Sequence, residues 1–282
     1  MKLKDLRNNL TVQLSSCSFE EAAFEADCIA ADVMGLTNSV LRIMNDSEVP
    51  DEKVIQAQEL VKRRTDGEPL QYILGQWEFY SNSFYVGNGV LIPRPETEML
   101  VDIALDFLSD RKNPVCADLC SGSGCIGISV AKADKNADVI LLEKSVAAFD
   151  YLKRNIALNG VSNVTAVNGD LFSGPEQLGS IKCDILLSNP PYIRTDIIPS
   201  LQKEVLAEPL MALDGGADGL DFYRAIAEKW FDCIKANGMA AVEIGEDQGN
   251  KVKEIFEKYF AEVTIHKDLF GNDRVVTAKN KK

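Results

Sequence analysis

The chain has one histidine, His266, among 282 residues. A single imidazole cannot build a His-rich metal site, so His266, in Val263-Thr264-Ile265-His266, reads as structural. The seven cysteines (Cys17, Cys28, Cys116, Cys120, Cys125, Cys183 and Cys233) are odd in number and include no Cys-x-x-Cys pair. Neither a disulfide framework nor a zinc site is indicated, and buried free thiols are expected. No apolar run is long enough to span a bilayer. The start, Met1-Lys2-Leu3-Lys4-Asp5, soon turns polar and lacks the apolar stretch of a secretory signal, so a cytoplasmic location is expected. Positive charge is also in deficit: 30 Lys and Arg stand against 43 Asp and Glu, a net charge of −13. Such a field repels phosphate backbones, so direct nucleic-acid binding is not expected, and neither is membrane binding. A neutral or basic protein partner suits it better. The expected state is a monomer. No internal repeat or low-complexity tract is present.

What the chain does have is length and apolar content, with 46% apolar residues. That suits a catalytic domain plus a smaller one. The first 75 residues read as helical. Ser18 and Glu21 fit a capping box, with Phe19, Ala22, Ala26, Ile29 and Val33 on one face behind it and Gly35 as a stop. A second amphipathic stretch runs from Asp51 to Arg64, with Val54, Ala57 and Val61 in phase. Residues 76–95 read as a hairpin linker: Trp77, Phe79, Phe84, Tyr85 and Val90 flank the polar turn Ser81-Asn82-Ser83. Pro93-Arg94-Pro95 then stiffens the chain, and the domain junction is placed there.

Residues 96–282 alternate strands with helices. Strands are expected at Val115–Leu119, Val139–Leu142, Val164–Val167, Ile185–Leu187, Met239–Ile244, Val263–His266 and Val275–Ala278. Helices are expected at Cys125–Lys132 and Val146–Leu158. This spacing implies βαβ units and a mostly parallel sheet, with ligands beyond the carboxyl ends of the strands. The fold class is therefore α/β and Rossmann-like.

Asp118-Leu119-Cys120-Ser121-Gly122-Ser123-Gly124-Cys125-Ile126-Gly127 follows the first of these strands and opens a helix. Glycines there let the backbone turn tightly and a ligand come close. Glu143 ends the next strand, about 20 residues on, where an acid can bind ribose hydroxyls. The loop marks a nucleoside cofactor and leaves NAD and S-adenosylmethionine both open. Asp118 leans toward S-adenosylmethionine, whose amino group and sulfonium are cationic.

Cys183–Ser188 runs into Asn189-Pro190-Pro191-Tyr192. Two prolines leave a rigid turn without N–H donors, so carbonyls project outward. An Asn oxygen and a Pro carbonyl can accept both hydrogens of one planar NH₂ group, and Tyr192 offers a flat face. A conjugated nitrogen is a poor nucleophile, so orientation and charge stabilisation would carry the catalysis, with no metal needed.

These residues resemble the protein-(glutamine-N5) methyltransferases of peptide chain release factors, the PrmC or HemK group. Gly67-Glu68-Pro69-Leu70-Gln71-Tyr72-Ile73-Leu74-Gly75 and Val90-Leu91-Ile92-Pro93-Arg94-Pro95-Glu96-Thr97-Glu98 carry the resemblance, with the glycine loop and Ser188-Asn189-Pro190-Pro191-Tyr192-Ile193. Glu208-Pro209-Leu210-Met211-Ala212-Leu213-Asp214-Gly215-Gly216, Glu243-Ile244-Gly245 and Lys267-Asp268-Leu269-x-Gly271 extend it over nearly the whole chain. The resemblance implies a class I methyltransferase sheet behind an N-terminal helical domain that grips the substrate. That substrate is the glutamine of the Gly-Gly-Gln motif in class 1 release factors. The implied cofactor is S-adenosylmethionine, leaving as S-adenosylhomocysteine. Asn189 and Pro190 would hold the amide, with Pro191 and Tyr192 beside it. Asp118, Cys120, Gly122 and Gly124 would line the methionine end, and Glu143 the ribose. Asp170, Leu171 and Phe172 would lie by the adenine, and Asn189 would touch the cofactor as well. Glu143-Lys144-Ser145 departs from the Asp-x-Ser of many relatives, but Glu reaches the same hydroxyls from one carbon further.

An adenine-N6 nucleic-acid methyltransferase also uses an Asn-Pro-Pro-Tyr turn, and is the main rival. The acidic charge and the lack of an obvious target-recognition region oppose it. A glutamine methyltransferase of a ribosomal protein would share all the chemistry. An NAD-dependent oxidoreductase would leave the second motif unexplained. Elsewhere, Arg94, Glu96 and Glu98 fit a substrate channel or a surface ion-pair cluster equally well. Glu208-Pro209 is either the rim of the site, which the resemblance implies, or a plain turn. Trp77 and Trp230 read as core, and Lys279-Asn280-Lys281-Lys282 as a solvated tail.

Overall fold

A computed structural model describes residues 1–179 and 181–282. They form two compact units: Met1–Gln76 together with Gln202–Ala207, and Trp77–Leu201 together with Glu208–Lys282. The 76–95 hairpin segment belongs to the second unit apart from Gln76. Among the described residues no helix is long and apolar enough to cross a membrane.

The first unit is helical: α1 (Leu3–Leu14), α2 (Ala22–Met34), α3 (Asn38–Ile43), α4 (Asp51–Thr65) and α5 (Leu70–Leu74). Leu3, Leu6, Leu10 and Leu14 recur at helical spacing and are fully buried. They face a stripe of Ala22, Ala26, Ile29 and Val33 on α2 and Ala57 and Val61 on α4. The expected capping box is absent, because α2 begins at Ala22 with no side-chain cap. The chain leaving α1 keeps turning through Ser18, whose N–H bonds the Leu14 carbonyl. Phe19 therefore lies outside the helix and is 84% exposed. Gly35 does end α2, in the left-handed conformation at φ 66°. Two acids are buried in this unit. Arg64 holds Glu25 through Nε at 2.9 Å and also reaches Glu204 of the Gln202–Ala207 segment at 2.8 Å. Arg7 holds Asp27 at 2.7 Å.

The second unit opens with the hairpin β1 (Gln76–Phe79) and β2 (Asn82–Tyr85). Its turn is Tyr80-Ser81, both at positive φ (50° and 55°), rather than the expected Ser81-Asn82-Ser83. A two-residue turn of this hand matches strand twist. Asn82 is then free to start β2, where it donates to the Tyr80 carbonyl at 2.8 Å and to Ser129 Oγ at 3.3 Å.

Next come α6 (Glu98–Leu108), β3 (Val115–Leu119), α7 (Cys125–Ala133), β4 (Asp138–Glu143), α8 (Val146–Asn159), β5 (Val164–Asn168) and β6 (Cys183–Ser188). The short α9 (Lys203–Leu206), α10 (Asp221–Ala225), β7 (Ile234–Glu243), α11 (Gly249–Phe256), β8 (Phe260–Lys267) and β9 (Asp273–Lys281) complete the chain. The seven-stranded sheet has the order β5-β4-β3-β6-β7-β9-β8. All its pairings are parallel except those of β9 with β7 and β8. Alternate residues feed two cores. Ala117, Leu119, Ala240 and Val242 face one side with Trp230 and Phe231, whereas Cys116, Met239 and Ala241 face the other with Leu100 and Val101. The last strands run longer than expected, because polar residues such as Glu262 in β8 and Lys279 and Asn280 in β9 interrupt or extend the apolar runs. The expected C-terminal tail is in fact strand. Lys279 pairs with Glu262 and Lys281 with Phe260, and Lys281 Nζ bonds Asp232 at 2.7 Å.

Candidate active site

The strand order reverses between β3 and β6. The chain leaves β3 for β4 and β5 on one side, then crosses to β6 on the other. Leu119 and Ser188 pair at the carboxyl ends of these two central strands. The next residues, Cys120 and Asn189, therefore open into one crevice, the place where such sheets bind ligands. A cleft of about 980 Å³, mouth included, lies there. Its walls include Cys120, Gly122, Glu143, Asp170, Leu171, Phe172, Asn189 and Pro191 among the residues singled out in the sequence. Asp118, Gly124, Pro190 and Tyr192 sit behind that lining rather than on it.

The glycine loop is braced from below. Ser121 donates to the Asp118 carbonyl at 2.7 Å and its N–H bonds the Leu142 carbonyl at 3.0 Å. Cys120 is held left-handed at φ 58°, an uncommon conformation for a residue with a Cβ. Gly124 also needs that region, at φ 83°, and a Cβ there would meet Ile128 Cδ1 at 2.8 Å. At Gly122 a Cβ would meet nothing within 4 Å, since the backbone faces open space.

Two buried carboxylates serve this loop. Asp118 Oδ2 accepts the Gly127 N–H at 3.1 Å. Its Oδ1 is buried with no hydrogen-bond partner among the described residues. Burial pushes the Asp118 carboxyl up to about 8, against the Gly127 N–H and with the help of the Glu143 charge. Glu143 accepts from Gly122 N at 2.8 Å and Ser145 N at 2.6 Å. Burial raises its pKa too, although those N–H groups oppose the shift. At the third strand end, burial acts to raise Asp170, but its ion pair with Lys144 at 2.8 Å holds it below the ordinary range. Asp170 also accepts the Phe172 N–H at 3.0 Å. The Phe172 ring is partly exposed and meets Phe222 edge-on, centroids 5.0 Å apart.

Asn189 is fixed through its nitrogen. Nδ2 donates to Thr97 Oγ1 at 3.1 Å, and that hydroxyl donates to Glu243 Oε2 at 2.6 Å. No group among the described residues donates to Asn189 Oδ1 or to the Pro190 carbonyl. Tyr192 is partly buried and packs on the core, with its carbonyl taken by Gln248 Nε2 at 2.9 Å. Burial and the Glu243 charge push its phenol well above the usual range. The site thus offers free acceptors beside a cleft that has a buried carboxylate just behind its lining. That arrangement suits a planar NH₂ group and a cationic ligand.

Residues 5–75 match the PrmC N-terminal domain, and residues 97–216 match the methyltransferase small domain. The release factor glutamine methyltransferase of Clostridium acetobutylicum is 37% identical over 281 residues, covering 99% of this chain and 98% of that one. The chain belongs to the release factor glutamine methyltransferase family. Its relative of the same name in Thermodesulfovibrio yellowstonii is 40% identical over 240 residues, 83% of this chain and 85% of that one. A solved structure of the hMettl16 catalytic domain in complex with MAT2A 3'UTR hairpin 6 is 15% identical with a TM-score of 0.58. It covers 82% of this chain and 83% of that one and shares the fold.

Within this family member, several supporting residues had no role in the sequence reading. Asn155 of α8, fully buried, donates to the Tyr85 and Ser123 carbonyls (3.1 and 2.9 Å) and accepts the Tyr85 N–H at 2.6 Å. It ties the hairpin to the glycine loop, and a lone Asn in a helix gives no signal of this. Of the Arg94, Glu96 and Glu98 group, Arg94 lines the cleft and pairs with buried Glu208, which also accepts the Ile92 N–H at 2.9 Å. Glu98 accepts the Tyr80 N–H at 2.7 Å. Pro209 lines the cleft, whereas Glu208 lies behind it. His266 bonds Thr277 Oγ1 at 2.8 Å, in a structural role. Trp230 is fully buried and Trp77 partly so. All seven cysteines are free.

Proposed function

We propose that this chain transfers a methyl group from S-adenosylmethionine to the side-chain amide nitrogen of the glutamine in the Gly-Gly-Gln motif of class 1 peptide chain release factors. The observation that carries this reading is the Asn189 amide. It is tethered by its nitrogen and keeps its oxygen free beside the unpartnered Pro190 carbonyl. Two such acceptors take both hydrogens of one glutamine NH₂ and hold its lone pair in a reactive direction. They also stabilise the positive charge that develops on nitrogen. Pro191 lines the cleft, and Tyr192, packed on the core behind it, backs the wall against which the planar amide lies.

S-adenosylmethionine supplies an electrophilic methyl group when bound. The residues fit it: the orphaned Asp118 oxygen behind the glycine loop suits its ammonium, and the open face of Gly122 admits it. Cys120 and Gly124 shape that end. Glu143 suits ribose hydroxyls, and Asp170, Leu171 and Phe172 suit the adenine. In this reading residues 1–75 grip the release factor, and the enzyme works as a cytoplasmic monomer on protein rather than nucleic acid; the acidic net charge of −13 supports the choice of a protein substrate.

The test is a transfer assay with labelled S-adenosylmethionine on an intact release factor, the same factor with its Gly-Gly-Gln glutamine changed, and unmethylated duplex DNA. Label confined to the intact factor and mapped to that glutamine supports the reading. Label in DNA, or in the changed factor alike, overturns it.

A further inference from the structure

Three segments far apart in sequence meet behind Asn189: Thr97 at the head of α6, Glu243 at the end of β7 and Asn189 at the end of β6. A Thr at the start of a helix ordinarily caps it. Thr97 makes no side-chain cap bond to α6. Its hydroxyl is buried and spans Glu243 Oε2 at 2.6 Å and Asn189 Nδ2 at 3.1 Å. A hydroxyl has one proton to give. An ionised carboxylate only accepts, so that proton goes to Glu243, and the hydroxyl can only accept from Asn189. The Asn189 nitrogen must then face Thr97 and its oxygen must face the cleft. The reverse orientation would strand a buried carboxylate, which is costly.

We propose that Thr97 and Glu243 are positioning residues for methyl transfer, a buried relay that fixes which end of the Asn189 amide meets the substrate nitrogen. The inference rests on the reading of Asn189 as the acceptor for the glutamine NH₂. The groups around Glu243 bear on its charge. Burial pushes its carboxyl up to about 7, while Thr97, Arg274 and Arg94 pull it down and Glu96 opposes them; Tyr192 also lies within its field. A protonated Glu243 can donate to Thr97, whose hydroxyl is then free to donate to Asn189 Oδ1. The amide would turn, and the clamp would present a donor where an acceptor is needed.

The test compares wild type, Thr97→Val, Thr97→Ser, Glu243→Gln and the Thr97→Val/Glu243→Gln double variant on intact release factor. It measures kcat, KM and calorimetric affinity for S-adenosylhomocysteine. Val keeps the shape of Thr97 without the hydroxyl, Ser restores the hydroxyl, and Gln at 243 can donate where Glu accepts. The expected result is a fall in kcat of at least about tenfold for Thr97→Val and Glu243→Gln. KM and cofactor affinity stay within about threefold, Thr97→Ser recovers turnover, and the double variant is no worse than the worse single one, as coupled residues require. Between pH 6 and 8 the wild-type kcat/KM for the factor rises, as ionisation of the raised Glu243 carboxyl requires, and Glu243→Gln flattens that limb. Full kcat in Thr97→Val overturns the inference, as do additive losses. If Thr97→Val does not fold, full kcat in Glu243→Gln overturns it equally. A wild type inactive on the factor but active elsewhere sinks the functional reading instead.

Discussion

The orphaned oxygen of Asp118 makes cofactor binding a proton-linked event. With its carboxyl pushed up to about 8, Asp118 is mostly protonated at pH 6 in the empty enzyme. A ligand ammonium favours the ionised form, so binding must expel that proton. Below the folded pKa, affinity then gains about tenfold for each pH step, and it levels off above. From pH 6 to pH 8 the expected gain is about 50-fold, because half the carboxyls are already ionised at pH 8. Asp118→Asn removes both the charge and the linkage. Losing a charge-assisted bond costs about 1.5–3 kcal/mol, a rise in Kd of roughly 10- to 150-fold at pH 8. The assay is calorimetric titration with S-adenosylhomocysteine, which keeps the ammonium and cannot react, in buffers of different ionisation heat so that proton release is counted directly. A wild-type Kd that stays flat across this range would refute the reasoning, as would Asp118→Asn binding as tightly as wild type at pH 8.

Asn189→Ala should leave S-adenosylhomocysteine binding within a few-fold and lower kcat by about 100- to 1000-fold, the cost of losing one oriented polar group at a reacting centre; steady-state methylation of the release factor checks it. Gly127→Ala would place a Cβ 2.2 Å from Leu141 Cδ2 and 3.2 Å from Asp118 Oδ2. It should destabilise the fold by about 1–3 kcal/mol and weaken cofactor binding, read by thermal melts with and without ligand. Glu25→Ala leaves Arg64 buried with Glu204 as its remaining acid, and should cost about 3–5 kcal/mol by urea unfolding followed by circular dichroism.

The central strands could be read from the sequence because buried parallel strands are continuous apolar runs. Val115–Leu119 matches β3 residue for residue. The cleft was legible for a related reason: glycines and prolines report backbone needs locally, and both motifs end on central strands. The hairpin turn was misplaced because Tyr80 and Ser81 hold positive φ without the Asn or Gly that normally marks it. The capping box failed because Ser18 still belongs to the exit from α1, bonding the Leu14 carbonyl, while Glu21 itself is the residue that leads into α2. Thr97, Asn155 and Glu243 act across contacts between distant segments, and no local pattern encodes which hydroxyl will meet which carboxylate.

The division of the chain has a practical consequence. The backbone passes from the helical unit to the catalytic unit after Gln76, returns for Gln202–Ala207, and leaves again. The two units therefore cannot be parted by a single proteolytic nick. A fragment ending at Gln76 lacks Glu204, one of the two acids holding Arg64, so anyone dissecting this enzyme into separately expressed halves should graft that short excursion onto the first piece.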